Sequence, residues 1–374
     1  MVLTLCAAAV VAGMGSFTAI AGWVADVPAG LLARLYGGRA SAPSKATIWR
    51  VVTGADAAAV DAVIGAWLAE QAATRDSGCG GPGRDDGGSG DGDRDGAGDD
   101  PARNRAGPAA LVAVAVDGKT VRGAVDAQGN QTHLLAAATH HDGLVLGQVE
   151  VGAKTNEIPM FAPLLDRLAD AGIDLTRTVI TADALHAQRA HADYLHSRGA
   201  GFVFTVKQNQ PGLFAALDAL PWAQAPVAAR EVDRRHGRRT TRTVQVLPAP
   251  ADLPFPHTTQ AWLIERYVSD PRGTPVSAVA ALGVTNLPAE RAGPELLAAL
   301  VRGHWGIESL HWLRDTVYRE DNSTVRTRSG PRVMAALRNL AVGAHHLAGR
   351  RDITEATRAA ARVMDRPFKI LKLE

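Results

Sequence analysis

Apolar positions divide the chain into three textures. From Met1 to Met14 almost every residue is apolar, and no charged side chain occurs before Asp26. A secretory signal opens with cationic residues, and a membrane span needs about 20 apolar residues without turn-formers. The first is missing, and Gly13, Gly15 and Ser16 interrupt the run. The expectation is a buried helix, then a second one from an N-capping Ser16 to Val24, with no membrane span anywhere in the chain. Beyond them, Ser44 caps a helix with Ile48, Val51 and Val52 in register, and Asp56 opens another that carries Val60, Val63, Ile64 and Trp67 on one face. Helix, turn, helix with Lys45 and Arg50 outward suits a DNA-reading element and a plain packing unit equally well.

The second texture has no core-formers. From Asp76 to Gly107 there is no Leu, Ile, Val, Phe, Tyr or Trp, so the segment cannot offset its ordering entropy and reads as a disordered linker. It separates a small helical region, residues 1–75, from a main domain over 108–374.

The third texture alternates strands and helices. Continuous apolar runs at Ala109–Val116, Thr178–Thr181 and Gly201–Val206 fit strands covered on both faces, with further strands at His133–Ala138 and Gly143–Val151. Helices are expected over Ile158–Ala171 and Ala187–Arg198. Three strands, helix, strand, helix, strand is the order of a ribonuclease H-like α/β sheet, a mixed sheet flanked by helices, although other α/β layouts share this pattern. Period-two alternation broken by Pro and Gly marks a β-rich insertion at about 210–287, including strands Thr259–Val268 and Val276–Val284. Helices resume over Leu296–Tyr318, Pro331–Leu347 and Thr354–Val363.

Composition changes this picture little. The chain has 374 residues, 46% of them hydrophobic, and 40 Lys and Arg against 38 Asp and Glu. A net charge of +2 does not by itself argue for nucleic acid, so any such case rests on local clusters. Two cysteines exclude a disulfide framework and a four-thiolate metal site and fit a reducing cytoplasm.

Candidate chemistry sits at element ends. Asp117 follows the first buried strand and Asp183 the fourth, at the carboxyl ends where α/β sheets bind ligands. If those strands are adjacent, the carboxylates converge, and a hard divalent cation, Mg²⁺ or Mn²⁺, relieves their repulsion. On one helix His304, Glu308, His311 and Asp315 form a polar stripe, with Trp305, Leu310 and Trp312 as apolar bulk around it. His186 either reaches the same site or is a turn residue; Asn156 caps the helix after the third strand. Lys119, Arg122 and Lys207 are either phosphate contacts or solvated loop charges. Arg230, Arg234, Arg235, Arg238, Arg239 and Arg242 crowd a hairpin around His236–Gly237, and Arg319, Arg326, Arg328, Arg332 and Arg338 follow the Glu308 helix. Such clusters bind DNA phosphates largely independently of sequence.

The phrases AVDGKTVRGA, KTNEIPMFAPLL, TADALHAQ, FVFTVKQNQPGL, HGRRTTR, RGHWGIESLHW and EDNSTVRT, in this order, resemble the ISAs group of insertion-sequence transposases, which includes the H-repeat-associated proteins of the DDE superfamily. GSFTAIAGWVADVP and PSKATIWRVV extend the likeness ahead of the linker. The resemblance implies a ribonuclease H-like core with a catalytic, metal-binding Asp117, Asp183 and Glu308, two Mg²⁺ or Mn²⁺ ions, and an insertion before the Glu-bearing helix. His186, His304, His311, Lys207 and Asn156 are accessory candidates. Where some cousins hold Tyr, Arg and Lys around the Glu, this chain holds Val301, His304 and Asp315, so those phosphate contacts do not carry over. The group's amino-terminal region is usually longer, which points to a truncated or misassigned start.

The implied function is metal-dependent DNA strand cleavage and strand transfer of an insertion sequence. Its partners are double-stranded DNA, both terminal repeats and target, and a second copy of the chain on paired ends, at the bacterial nucleoid. A non-transposing nuclease of the same fold and a catalytically inactive DNA-binding relic are the alternatives.

Overall fold

The computed structural model describes residues 1–35, 37–38, 41–78, 111–235 and 237–373. Most of the expected linker, and His236 at the expected hairpin tip, lie outside the described residues; linker residues 76–78 end a helix. The amino-terminal part forms α1 (Val2–Val11), α2 (Phe17–Ala25), α3 (Ala29–Leu35), α4 (Lys45–Gly54) and α5 (Ala57–Gly78). Caps fix their starts: Ser16 Oγ accepts from Ala19 N and Ser44 Oγ from Thr47 N, each at 3.2 Å, while Asp56 accepts from Ala58 N at 2.9 Å. The first helix is apolar all round because it is enclosed, with Cys6 and Ala8 through Val11 fully buried. Among the described residues no single helix is long and apolar enough to cross a membrane; α4 and α5 meet that measure only together, across a 90° bend.

Nine strands build one mixed sheet: β1 (Val112–Val125), β2 (Gln131–Thr139), β3 (Val145–Val151), β4 (Thr178–Ala182), β5 (Gly201–Val206), β6 (Ala229–Arg235), β7 (Arg238–Pro248), β8 (Gln260–Ser269) and β9 (Pro275–Thr285). Their order is β3-β2-β1-β4-β5-β9-β8-β7-β6. The first three pair antiparallel, while β4 and β5 run parallel to β1, which is the ribonuclease H-like arrangement. The inserted β region continues this sheet, because β9 pairs antiparallel with β5. Helices α6 (Phe161–Asp170), α7 (Arg189–Ser197) and α8 (Pro211–Asp218) cover one face. The other face carries α9 (Pro294–Gly303) over β4 and β5, then α10 (Gly306–Thr316), α11 (Gly330–Leu347), α12 (Ile353–Ala361) and α13 (Arg366–Ile370).

The amino-terminal helices share that second core. Leu5, Val10, Ile20, Val24, Ile48 and Leu68 pack in one cluster with Ala115 and Ala136 of the sheet and Val333, Leu337 and Ala341 of α11.

Two expectations about local structure change. The first strand runs through Asp117 to Val125, since Lys119 and Thr120 find polar partners that let a polar half-strand stay in the ladder. The helix over Leu296–Tyr318 is broken at His304–Trp305, so its polar stripe is shared between two helices.

Candidate active site on the central strands

Register brings the two aspartates together. In the parallel β1–β4 pair Val116 lies opposite Ala182, so Asp117 and Asp183 are the next residues on neighbouring strands. Period-two alternation then sets their face: Asp117 follows Ala115, and Asp183 follows Val179 and Thr181, all turned toward α9 and α10. Asp183 directs one oxygen to Leu185 N at 2.9 Å, capping the turn Ala184–His186.

Helix α10 lies along β1 in matched register. His311 Nδ1 stands 3.4 Å from Asp117 Oδ2, and Lys119 Nζ donates to Asp315 Oδ2 at 2.7 Å. Four helical residues rise about 6 Å and two strand residues about 6.6 Å, so successive pairs coincide. Glu308 projects from the first turn of α10 and is exposed. The helix break supplies its anchor: buried His304 shares Thr181 Oγ1 with His140, at 3.2 and 2.8 Å. A Cβ at Gly303 would collide with the His140 ring, so this close approach needs glycine. Burial lowers the pKa of His304 against the opposing pull of Asp117, Asp183 and Glu308, all of which reach it electrostatically. Burial, then the charge of His304, brings His140 down to about 4.

A half-buried carboxylate to which sequence reasoning gave no role occupies the opposite face. Glu157 Oε1 meets His133 Nε2 at 2.9 Å and its Oε2 meets His186 Nε2 at 3.1 Å; His133 Nδ1 in turn meets Thr120 Oγ1 at 2.8 Å. A Cβ at Gly118, the residue after Asp117, would strike this carboxylate. Burial pushes the Glu157 carboxyl up, but the hydrogen bonds and charges of His133 and His186 outweigh it and bring it to about 2. His186 is therefore not turned to the aspartates: it is 1% exposed, bound to Glu157 and packed on Phe161. The KTNEIP phrase was the available signal, but only the fold reveals which side of the sheet it serves. Asn156 accepts from Ile158 N at 3.1 Å, a local cap, and Lys207 is exposed just past β5.

The arginines divide into two groups. Arg230, Arg234, Arg238 and Arg239 are exposed on the β6–β7 hairpin and Arg242 is half-buried. Arg234 pairs with Arg239 and Arg235 with Arg238 across the ladder. Arg326 and Arg328 are exposed after α10. Arg332 is not a free cation: its guanidinium holds Asp61 at 2.8 Å, and Arg338 is likewise buried against Glu320 at 2.9 Å. Lys119, 8% exposed between Asp315 and Asp321, is also committed inside the protein.

The donor set suits a hard divalent cation, since two carboxylates emerge side by side, Asp117 within β1 and Asp183 just past the end of β4. Among the described residues, however, no three His, Cys, Asp or Glu side chains are close enough together to hold a metal ion. Asp117 leans on His311, Asp183 caps its own turn, and Glu308 is exposed, so the three carboxylates are not gathered into one cluster.

Residues 108–343 match the family model described as the transposase DDE domain, and residues 1–68 match the domain associated with it. The chain is 29% identical over 251 residues to YncI of Escherichia coli O157:H7, named as a transposase, covering 61% of this chain and 60% of that one. It is 26% identical over 246 residues to YhhI of Escherichia coli K12, named as an H repeat-associated transposase, covering 61% and 62%. The chain thus spans about 60% of the length of the curated relatives it matches. Among solved structures, a piggyBac transposase synaptic complex with hairpin DNA aligns at 11% identity and a TM-score of 0.37, covering 71% of this chain and 54% of that one.

Proposed function

The chain belongs to the transposase DDE domain family, and on that premise we propose that it cuts DNA at the ends of an insertion sequence and joins them to new DNA. The observation that carries the reading is the register of β1 and β4, which sets Asp117 beside Asp183 beneath the helix that bears Glu308. The family implies dependence on a divalent metal. In our reading it is Mg²⁺ or Mn²⁺, as two ions held by Asp117 and Asp183, with Glu308 completing the set. Bound there, the metal would activate the attacking hydroxyl and stabilise charge on the phosphate.

The chain's own groups do the rest. Asp117 and Asp183 supply the negative charge that fixes the centre, and His311 orients Asp117 from 3.4 Å. The His140–Thr181–His304 contact pins the break between α9 and α10, so Glu308 projects from a fixed point. Arg234 lies opposite Arg239 in the β6–β7 ladder, a like-charge pairing that is destabilising until an anion lies over it. A DNA backbone provides that anion. In this reading the substrate is double-stranded DNA, bound as terminal repeats and target, with two copies of the chain on paired ends at the nucleoid.

The test is to incubate the purified protein with Mg²⁺ and DNA carrying the element's own ends, scoring cuts and joined products. Asp117→Asn, Asp183→Asn and Glu308→Gln are each expected to abolish nicking while leaving the fold intact. Full nicking by a folded variant removes that residue from the site. Cuts without joining indicate a nuclease; DNA binding with neither indicates a catalytically inactive relic.

A further inference from the structure

A groove of about 650 Å³ lies between the amino-terminal helices and the segment that follows α10. Lys45 and Trp49 of α4 form part of one wall, and Arg319, Ser323, Arg326 and Thr327 part of the other. Lys45, Arg319 and Arg326 are exposed, and among the described residues no acidic side chain lines the groove and none of the three cations is ion-paired. Trp49 is 40% exposed beside them. Cations, hydroxyl donors and an open aromatic face, with no carboxylate among them, suit a polyanion with a sugar backbone.

The cations are also held in place. Arg319 takes a left-handed backbone conformation, φ 50°, which an arginine rarely adopts without support. Its neighbour Glu320 supplies that support, being fully buried and bonded to Arg314 and Arg338 at 2.9 Å. The turn that displays Arg319 is therefore fixed before any ligand arrives.

The groove's place relative to the acidic residues is set by two independent rulers. From Glu308 along α10 to the Tyr318 end is ten residues, about 15 Å at helical rise. From Asp117 along β1 to Gly123, where a Cβ would strike the carbonyl of Ser323, is six residues, about 20 Å at strand rise. At about 3.4 Å per base pair these correspond to roughly four to six base pairs.

We propose that this groove takes the sugar–phosphate backbone of one strand of element-end DNA, four to six base pairs from the phosphate that is cut. The inference rests on the transposase reading above and adds a contact made jointly by the amino-terminal helices and the segment after α10.

The test is a salt series of DNA binding, read by fluorescence anisotropy on element-end duplexes without metal, so that chemistry plays no part. Each neutralised phosphate contributes about 0.9 to the slope of log affinity against log salt. Lys45→Gln with Arg326→Gln leaves the strained Arg319 untouched and should lower the slope by about 2; adding Arg319→Gln should lower it by about 3. A neutral methylphosphonate four to six base pairs from the cut should weaken binding by the unaltered protein but not by the triple variant. An unchanged slope in a folded double variant overturns the groove alone. So does methylphosphonate sensitivity confined to other positions. Absence of DNA affinity in the unaltered protein overturns the transposase reading itself, a distinct outcome.

Discussion

Glu320 shows how much a single buried charge can carry. Its carboxylate accepts from Arg314 Nε and Arg338 Nη1, and all three side chains are at most 1% exposed. Burial alone would raise its pKa, but the two guanidiniums win and lower it. Removing it strands two buried cations, so Glu320→Ala should cost about 3–5 kcal/mol in a urea melt; a loss under about 1 kcal/mol would refute this account. Glu157 gives the matching pH prediction. Its folded pKa of about 2 lies below its ordinary 4.5. The stabilisation is therefore complete above pH 4.5 and is lost as pH falls through 2. The melting temperature should drop along that limb, and Glu157→Gln should flatten it. At this scale sequence was informative about acids that follow apolar runs and poor about cations. The run before Asp183 does reveal a strand's end, while the run before Asp117 marks only the apolar half of β1; Arg332 and Arg338 looked like free charges because their partners, Asp61 and Glu320, come from elsewhere in the fold.

Elements were legible where burial on both faces leaves an unbroken apolar run, as in β4 and β5, which fall at Thr178–Ala182 and Gly201–Val206. Legibility failed where a tertiary partner decides the outcome. The polar half of β1 stays in the sheet because Asp315 and His133 receive Lys119 and Thr120, and the break before α10 exists because His304 is drawn onto Thr181. Gly303 and Gly306 bracket that break and were the one local sign of it. Docking of α5 carries an opposite pH dependence to Glu157. Burial pushes the Asp61 carboxyl up to about 6, with Arg332 and Gln148 pulling it down. A raised carboxyl pKa means that its contribution is most favourable below the ordinary 3.8 and declines as pH rises through 6. Hydrogen exchange, corrected for intrinsic rates, should show α5 opening more readily at pH 7 than at pH 5. Asp61→Asn should narrow that difference, and an unaltered difference would count against the assignment.

For the whole molecule, the open arrangement of Asp117, Asp183 and Glu308 has a thermodynamic reading. A cation that binds the folded chain alone stabilises it by mass action, about 2.7 kcal/mol at a hundredfold excess over its dissociation constant. Mn²⁺ should therefore raise the melting temperature of the unaltered protein but not of Asp117→Asn or Asp183→Asn. Glu308→Gln should retain part of the rise, because Glu308 is not yet gathered with the pair. An equal rise in all four proteins would place the cation elsewhere.

The shared core of the amino-terminal helices and α11 bears on what a shortened chain could be. Here, initiation downstream of the Gly/Asp-rich segment would strip Leu5, Val10, Ile20 and Ile48 from the layer that covers Ala115 and the α11 face, leaving oily surface open to water. That fragment would be prey for proteases and for association with its own kind.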